Sequence, residues 1–287
     1  MIIYYSSWGI GNEFFQYAYL RSISKENEKI FCLGGMQELK EGVELNDSNF
    51  FIYTPGRVIN SVLRILLFPT LVWLAKKRVF NLYEHRRNDK GFYLYKNSKK
   101  KGLIPINFLE TDFFQCEYIL DFNKIHFELK KKFIQQASEI FSSFPNGRKK
   151  VFVHLRRGDY LKETFNNQKG VNLPFSYYKS ALEMIKKDIR DPYFIFLSDD
   201  SDYVEQAFRH ISESDKYIST NHPLVDLALM SLCEYGICSN STFSWWGSYL
   251  MKKKEKVIFP KYWYGWKTKV ESHPGIQPSW SSVIEVR

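Results

Sequence analysis

Residues 151–160 read Val-Phe-Val-His-Leu-Arg-Arg-Gly-Asp-Tyr, an apolar run that ends abruptly in polar side chains. This pattern is typical of a buried strand that brings polar groups to the edge of a sheet. In open α/β sheets, ligands bind in the crevice outside the carboxyl ends of the strands. Arg156 and Arg157 therefore predict a diphosphate or carboxylate ligand, because the planar guanidinium donates in a fork that matches both. The alternative is that these arginines merely pair with Asp159.

The chain that follows this stretch alternates between short apolar runs and amphipathic segments. The runs predict strands at 151–155, 193–197, 216–219, 235–238 and 256–259, separated by helices at 175–189, 202–211, 224–233 and 243–252. Strands that alternate with helices in this way predict a doubly wound parallel sheet with right-handed crossovers. The second half of the chain is therefore expected to be Rossmann-like.

The first half opens with a strand at 2–6, a turn at 7–12 and a helix from Glu13, followed by a second strand at 30–34. These elements form the first βα unit of another α/β domain. The turn contains Gly-x-Gly without the third glycine of a dinucleotide fingerprint, so its nucleotide signature is weak. The two glycines could equally let the backbone approach a sugar.

Between residues 40 and 125 no clean period is present, and an amphipathic helix follows at 126–142. The Ser-Ser-Phe-Pro-Asn-Gly sequence after that helix predicts a linker. The predicted domains are an acceptor-binding N-terminal α/β domain at 1–147 and a domain that binds a nucleotide sugar at 148–287. The tail at 262–287 has no period, and it either wraps its own domain or returns to the first.

The length and charge of the chain limit its class. A chain of 287 residues suits two domains of ordinary size. Its net charge of +10 predicts an acidic partner: a nucleic acid, an anionic membrane or a phosphorylated substrate. A nucleic-acid-binding protein would collect its basic residues on one face among aromatic side chains. Here the basic clusters are spread among apolar segments, so a nucleic-acid partner is not expected.

The four cysteines are too scattered for a disulfide framework or a zinc site: Cys32, Cys116, Cys233 and Cys238. We interpret them as reduced core thiols. The chain begins directly with a strand-like run, so no secretory signal is predicted. A cytoplasmic location follows from both observations.

Residues 62–75 are the one segment that indicates a membrane. They are apolar but contain Arg64 and Pro69, and they fall short of the ~20 residues that a spanning helix needs. A basic cluster follows at 76–78, and an apolar segment beside such a cluster could rest on the anionic inner face of the cytoplasmic membrane. A buried helix with a solvated basic end is the alternative.

Polar residues also follow two other predicted strands. Ser198, Asp199 and Asp200 follow the second strand, where either carboxylate could accept from a base or a ribose. Residues 239–242 read Ser-Asn-Ser-Thr and precede a helix, where free N–H groups and the helix dipole favour an anion. An ordinary N-cap is the alternative, but a cap needs one such residue and four are present.

The Asp200-Ser-Asp202 sequence raises the question of a metal, since many nucleotide-sugar transferases hold a divalent cation with such a pair. Asp202 can instead cap the next helix, and the arginines already supply positive charge for a diphosphate. We therefore expect no metal and no cofactor.

Four ordered motifs make the chain similar to a known family. They are Gly-Ile-Gly-Asn-Glu-Phe-Phe-Gln-Tyr-Ala at 9–18, His-Leu-Arg-Arg-Gly-Asp-Tyr at 154–160, Phe-Leu-Ser-Asp-Asp at 196–200 and Ser-Asn-Ser-Thr-Phe-Ser-Trp-Trp-Gly at 239–247. The chain resembles the bacterial α-1,2-fucosyltransferases of glycosyltransferase family 11, in the N-terminal loop and over most of 150–262. The segments at 226–233 and 257–260 also fit.

The resemblance implies a GT-B-like fold, with two Rossmann-like domains facing across a cleft, and GDP-fucose as donor without a metal. It implies inverting transfer to the 2-hydroxyl of a sugar such as a β-galactoside, in an O-antigen, lipopolysaccharide or other oligosaccharide, free or lipid-linked. The implied donor-site residues are His154, Arg156, Arg157, Asp199, Asp200, Asn240, Ser241, Thr242 and Phe243. The expected acceptor-side residues are Gly9, Gly11, Asn12, Glu13 and Gln16.

Within that set, the resemblance gives Arg156 the donor pyrophosphate and His154 a place near the nucleotide. It also implies that Asp200 contacts the nucleotide and that residues 241–243 contact the phosphate and the base. Two departures matter. The family usually has Gln where this chain has Glu13, and a basic-His pair is commoner where this chain has Glu-Tyr at 234–235.

For the chemistry, Arg156 is the expected stabiliser of the departing diphosphate. Asp159 is the candidate base nearest to the arginines, although a carboxylate paired with arginines makes a poor base. Glu13 and Glu163 are rivals. A transferase for another nucleotide sugar remains the alternative function.

Overall fold

The computed structural model describes residues 1–6, 8–87 and 93–287. It divides into two units, Met1–Lys130 and Lys131–Arg287, and each unit has its own six-stranded sheet. Two α/β domains were predicted, and two are present.

The first unit contains eight strands and four α-helices among the described residues. The strands are β1 (Ile2–Tyr5), β2 (Ile30–Leu33), β3 (Val43–Glu44), β4 (Phe50–Tyr53), β5 (Phe80–Arg87), β6 (Tyr93–Lys100), β7 (Ile104–Leu109) and β8 (Glu128–Leu129). The helices are α1 (Ile10–Ile23), α2 (Gln37–Gly42), α3 (Arg57–Val62) and α4 (Phe68–Lys76). A π-helical turn, Leu63–Leu67, joins α3 to α4.

The main sheet of this unit has the order β4-β2-β1-β7-β5-β6. All its neighbours are parallel except β5 and β6, which are antiparallel. β1 lies inside the sheet, with β2 and β4 on one side of it and β7, β5 and β6 on the other.

The predicted turn at 7–12 is wrong in its second half, and Ser7 lies outside the described residues. Helix α1 begins at Ile10 rather than at Glu13, with Gly9 as its N-cap. Ile10 and Gly11 are both buried. Because this first turn is buried, the helix includes Gly11, even though glycine has a low helix propensity.

The second unit contains eight strands and five α-helices. The strands are β9 (Lys149–Leu155), β10 (Thr164–Phe165), β11 (Gln168–Lys169), β12 (Pro192–Ser198), β13 (Lys216–Ile218), β14 (Tyr235–Ile237), β15 (Lys256–Pro260) and β16 (Ser282–Ile284). The helices are α5 (Lys131–Ser142), α6 (Phe175–Asp188), α7 (Ser201–Ala207), α8 (Pro223–Leu232) and α9 (Thr242–Leu250).

The sheet of the second unit is parallel throughout and has the order β13-β12-β9-β14-β15-β16. In chain order its strands therefore run 3-2-1-4-5-6, the Rossmann arrangement. The predicted doubly wound parallel sheet is confirmed. The direction reverses between β9 and β14, and such a switch point is where open α/β sheets bind ligands.

Two segments, whose domain was predicted differently or left open, belong to the second unit. The predicted helix at 126–142 is α5, which packs against α8 within the second unit. The tail belongs to the same unit: β16 pairs with β15, and the Trp280 ring lies 5.3 Å from that of Trp245. The tail thus wraps its own unit, where β16 covers the edge of β15 that would otherwise leave backbone groups unpaired.

The core of the second unit explains why 151–155 is a strand. Val151, Val153 and Leu155 are fully buried in one apolar cluster with side chains of α6 and β12. Phe152 is also fully buried, on the opposite side of the strand. At about 1.5–3 kcal/mol per buried side chain, these residues hold the strand firmly beneath the polar groups at its end.

Candidate active site

His154 links the two strands that flank the switch point. Its Nδ1 shares a 2.8 Å hydrogen bond with Ser239 Oγ, which follows β14. Its ring centroid lies 5.3 Å from that of Phe243. Burial, with the nearby positive charge of Arg156, lowers the pKa of His154 to about 3. The imidazole is therefore neutral and holds the two loops together rather than transferring protons.

Arg156 is held between two carboxylates. Its Nε donates to Asp159 Oδ1 at 2.9 Å, and its Nη1 lies 3.3 Å from Asp199 Oδ2. The guanidinium also lies over the Tyr160 ring, 5.6 Å from the centroid. The side chain is still 37% exposed. Arg156 is thus oriented from two sides and open to an anion in solution.

Arg157 has a different environment. Its Nε donates to Asp200 Oδ2 at 2.9 Å, its backbone N–H donates to Asp199 Oδ1 at 2.9 Å, and its guanidinium stacks 3.4 Å from the centroid of the Tyr203 ring. These contacts join the loop after β9 to the loop after β12. Direct donor binding by Arg157 stays a prediction.

Asp199 and Asp200 each have structural partners as well. Asp200 caps α7 by accepting from the Tyr203 N–H at 3.1 Å, and the hydrogen bond from Arg157 lowers its pKa. Beside Asp199, a Cβ on Gly158 would lie 2.7 Å from Oδ2. This spacing requires glycine at that position if the carboxylate is to reach Arg156. Nucleotide contacts by the two aspartates stay predictions.

The N-terminus of α9 lies next to His154. Ser241 is its cap and accepts from the Phe243 N–H at 3.3 Å, while Thr242 and Phe243 are partly exposed. Asn240 is fully buried and donates to Val171 O at 2.7 Å. Thr242 and Phe243 therefore form the part of this turn that an anion can reach, whereas Asn240 and Ser241 are buried.

Tyr160 completes this loop cluster and was missed by the sequence reasoning. Its hydroxyl donates to Asn240 O at 3.2 Å and shares a 2.7 Å hydrogen bond with the Tyr264 hydroxyl. Burial raises the pKa of Tyr160 to about 12, so the phenol stays protonated. Only the high aromatic content of the tail hinted at such a partner.

A buried acid lies beyond β13, also unpredicted. Asp226, in the first turn of α8, accepts from Ser219 Oγ at 2.5 Å. Burial raises its pKa to about 7, although hydrogen bonds from Ser219 and Asn221 oppose the shift. The contact orients the loop that joins β13 to α8.

The described residues contain no group of three or more His, Cys, Asp or Glu side chains that could hold a metal ion. Asp200, which the sequence offered as a ligand, is paired with Arg157. Independence from metal stays a prediction.

The predicted acceptor-side residues follow β1 and lie at the N-cap and in the first two turns of α1. Of these, Glu13 and Gln16 are buried. Glu13 Oε2 accepts from the Leu39 N–H of α2 at 2.7 Å, and burial raises its pKa to about 7 against the effect of that bond. Gln16 Oε1 accepts from Ser6 Oγ at 2.6 Å and its Nε2 donates to Asp112 O at 3.2 Å, so both Glu13 and Gln16 hold neighbouring backbone in place.

The other three members differ in their access to solvent. Gly9 is exposed, Gly11 is buried within α1, and the half-buried Asn12 accepts from Gln115 Nε2 at 2.7 Å through its Oδ1. Of the five residues, Gly9 and Asn12 are the ones whose surface is not buried.

Trp8 is the feature of this region that the sequence reasoning overlooked. Its side chain is 68% exposed, at the edge of a concavity of about 420 Å³. The concavity is lined by Trp8, Gly9, Glu13, Gln37, Glu38 and Glu41. An exposed indole can stack on a sugar ring, and the carboxylates beside it can accept hydrogen bonds from the sugar hydroxyls. The sequence feature that points to this role is the tryptophan directly before the Gly-x-Gly turn.

Residues 89–283 match the family model described as glycosyl transferase family 11. Among curated proteins, the chain is 27% identical over 271 residues to the alpha-1,2-colitosyltransferase of Escherichia coli, covering 89% of this chain and 90% of that protein. It is 31% identical over 122 residues to the O-antigen biosynthesis glycosyltransferase WbnK of Escherichia coli, covering 41% and 40%. A third relative is galactoside alpha-(1,2)-fucosyltransferase 1 of Rattus norvegicus, 27% identical over 159 residues, covering 50% and 42%. The chain thus spans less than half of WbnK and of the rat enzyme.

Solved structures share the fold at low identity. The NodZ alpha-1,6-fucosyltransferase soaked with GDP-fucose superposes with a TM-score of 0.51 at 10% identity, covering 87% of this chain and 92% of NodZ. The ADP-heptose lipopolysaccharide heptosyltransferase II of E. coli superposes with a TM-score of 0.54 at 9% identity, covering 99% and 89%. Both likenesses confirm the predicted GT-B-like fold class.

Proposed function

Because the chain belongs to glycosyl transferase family 11, we propose that it transfers L-fucose from GDP-β-L-fucose to the 2-hydroxyl of a sugar acceptor, with inversion. The observation behind this proposal is that a partly exposed Arg156 and the N-terminus of α9 follow the neighbouring strands β9 and β14 at one switch point. A diphosphate bound there would meet a guanidinium and the positive end of the helix dipole together.

The reaction is a single displacement. The acceptor oxygen attacks the anomeric carbon of the sugar while the bond from that carbon to the diphosphate oxygen breaks on the opposite face. Negative charge grows on the departing diphosphate. Arg156 stabilises that charge at no cost of reorganisation, because Asp159 and Asp199 already orient its guanidinium.

The acceptor hydroxyl must lose a proton during this displacement. Asp159 is 55% exposed, but its carboxylate already accepts from Arg156 and orients that guanidinium. Of its two rivals, Glu13 caps α2 and Glu163 is exposed on the surface. A loose transition state, in which the leaving bond breaks early, needs little help from a base.

The acceptor side lies in the concavity of the first unit, where Trp8 offers a stacking surface and Glu38 and Glu41 offer hydroxyl acceptors. We expect a β-galactoside there, in an O-antigen repeat or a related oligosaccharide, because two of the relatives are named as galactoside or O-antigen transferases. A lipid-linked glycan would present the same sugar.

A second donor is favoured by one observation. The relative that matches along 90% of its own length is named as a colitosyltransferase. Colitose is fucose without its 3-hydroxyl. A site that hydrogen-bonds this hydroxyl rejects the deoxy sugar by about 10⁴–10⁵-fold, whereas a site built for the deoxy sugar excludes the hydroxyl by only about 10²-fold. The ratio of the two rates therefore distinguishes the donors.

We propose a cytoplasmic location and no need for a metal. The four cysteines are free and buried, as suits a reducing compartment. Arg156 and the α9 N-terminus supply positive charge where other transferases use a cation.

The test is a donor-by-acceptor screen on the purified chain with EDTA present. GDP-fucose, GDP-colitose and UDP-galactose would each be offered with β-galactoside acceptors, and the linkage of any product read by NMR. Transfer from GDP-fucose in EDTA, giving an α-1,2 linkage, supports the proposal. Transfer from GDP-colitose at least about 10-fold faster would favour the second donor, and restoration of activity by Mg²⁺ would overturn metal independence.

A further inference from the structure

The helix Arg57–Lys76 presents an apolar surface to solvent on the outside of the first unit. By length and composition it is long and apolar enough to cross a membrane, whereas the apolar run at 62–75 is by itself too short to do so. The segment is longer than expected because the π-helical turn joins α3 to α4 without a break. At 1.5 Å per residue, its 20 residues extend about 30 Å.

One face of this helix is fixed to the protein. Leu63, Phe68 and Ala75 are buried in a cluster with Tyr5, Leu82 and Phe108 of the underlying sheet. Asn60 Oδ1 also accepts from the Tyr5 hydroxyl at 2.9 Å. The spacing of five residues from Leu63 to Phe68 is one π turn, so the irregular turn keeps the buried residues on one side. A helix anchored in this way cannot leave the unit to span a bilayer.

The opposite face is apolar and exposed. Its members are Val58 at 79%, Ile59 at 52%, Val62 at 50%, Ile65 at 69%, Leu66 at 66%, Leu67 at 44% and Trp73 at 56% exposure. Large contiguous apolar patches of this kind mark sites of association with proteins or membranes. We call these seven residues the apolar helix face.

The charge around the apolar helix face indicates which partner it fits. From residue 48 to residue 83 the chain contains no Asp or Glu, while Arg57, Arg64, Lys76, Lys77 and Arg78 are all basic. Lys76 is paired with Glu110 at 2.5 Å. Lys77 lies 5.9 Å from the centroid of the Trp73 ring. An indole and basic side chains at the end of an apolar face are what the headgroup region of a bilayer favours.

We propose that the apolar helix face docks the protein, lying flat, onto an anionic phospholipid surface. The aliphatic side chains enter the boundary between headgroups and acyl chains, while Arg64, Lys77 and Arg78 contact lipid phosphates. A second copy of the chain fits less well, because the same basic side chains would be brought together across the interface. This docking goes beyond the proposed transfer reaction and does not depend on it.

Vesicle flotation with the full chain tests the docking. Phosphatidylcholine vesicles would be compared with vesicles that also contain phosphatidylglycerol, without donor or acceptor. Binding to the anionic vesicles only is expected. Each basic side chain near an anionic surface strengthens binding about five-fold, so R64Q/K77Q/R78Q is expected to weaken it roughly 100-fold. I65N/L66N, which removes exposed side chains only, is expected to weaken it by a similar factor.

The matched control is K131Q/K132Q/I134N on α5, where two lysines and an exposed isoleucine lie on another helix. It should bind vesicles like the unchanged chain. Circular dichroism would show that each variant is folded. Equal binding to neutral and anionic vesicles, or absence of binding, would overturn the proposal. So would resistance to extraction by alkaline carbonate, which would indicate spanning, or a dimer in sedimentation velocity that I65N/L66N dissociates.

Discussion

At the scale of single residues, the arginine pair after β9 separates into two roles that spacing alone could not assign. Arg156 is partly exposed between Asp159 and Asp199, whereas Arg157 is stacked on Tyr203 and bonded to Asp200. The Arg156 side chain is 37% exposed and that of Arg157 is 19% exposed, so more of the Arg156 guanidinium is accessible to a ligand. The geometry therefore favours Arg156 as the diphosphate contact.

Replacing Arg156 with Ala is expected to lower kcat for transfer by about 10²–10³-fold, because one donor to the developing charge is lost. Steady-state kinetics with GDP-fucose would measure the change. Arg190→Ala, an exposed arginine before β12 at the opposite edge of the sheet, is the matched control and should leave kcat unchanged. Normal turnover by R156A would contradict the assignment.

Asp226 gives a second prediction, on pH. Its pKa is raised to about 7 by burial, so the folded protein holds a proton that the unfolded chain loses near its ordinary value. The free energy of unfolding should therefore fall as the pH rises from about 4 to 7.

Asp226→Asn keeps an acceptor for Ser219 and cannot ionise, so it should lack this decline and exceed the unchanged chain by roughly 2–4 kcal/mol at pH 8. Urea unfolding at pH 4.5 and pH 8 would measure the difference. Parallel pH profiles for the two proteins would show that Asp226 is not the cause.

At the scale of elements, helix α9 combines stability with binding. Ser241 caps its first turn, and we expect a bound phosphate to meet the same helix N-terminus. The sequence predicted an anion site at 239–242, with an ordinary N-cap as the alternative. The structure shows that Ser241 is the cap, that Ser239 bonds His154 and that Asn240 is buried, and anion binding stays a prediction.

Two substitutions separate these roles. Ser241→Ala is expected to destabilise the protein by about 1 kcal/mol, whereas Ser241→Gly costs only a few tenths, because glycine is tolerated at an N-cap. Both variants lack the hydroxyl, so their affinity for GDP should be lower than that of the unchanged chain by a factor of about 10 or more. Thermal unfolding and calorimetric titration with GDP would test the pair. GDP affinity that follows stability, rather than the hydroxyl, would argue against a phosphate contact.

At the scale of the whole molecule, the chain consists of two units, each with its own sheet and core. The proposed donor site lies entirely within Lys131–Arg287. The proposed acceptor concavity and the apolar helix face belong to Met1–Lys130.

GDP alone should therefore stabilise the second unit selectively. At about 100 times its Kd, it should raise the free energy of opening by about 2.7 kcal/mol for amides that exchange through unfolding of that unit. Hydrogen exchange followed by mass spectrometry on the full chain would locate the protection. The R156A protein at the same GDP concentration is the control, and equal protection of both units would contradict a donor site confined to the second.

The second half of the fold was predictable because each strand of a parallel sheet is a short apolar run bounded by turns, and both signals are local. The order of those strands, and the sixth strand at 282–284, were not predictable. Three residues in a tail without a period provide no pattern, and β16 forms because β15 offers it an open edge. The elements between residues 40 and 125 were also not predictable, because exposed apolar residues and a π turn obscure the helical period there.

The local chemistry of the site was contained in the sequence: polar side chains at the ends of apolar strands, two arginines, and hydroxyls before a helix. Which of these groups remain available to a ligand was decided by tertiary contacts. His154 meets Ser239, and Tyr160 meets Tyr264, only because the parallel sheet and the tail bring residues 85 and 104 positions apart within 2.8 and 2.7 Å. Burial and pairing depend on what packs around a side chain, and no local pattern encodes that.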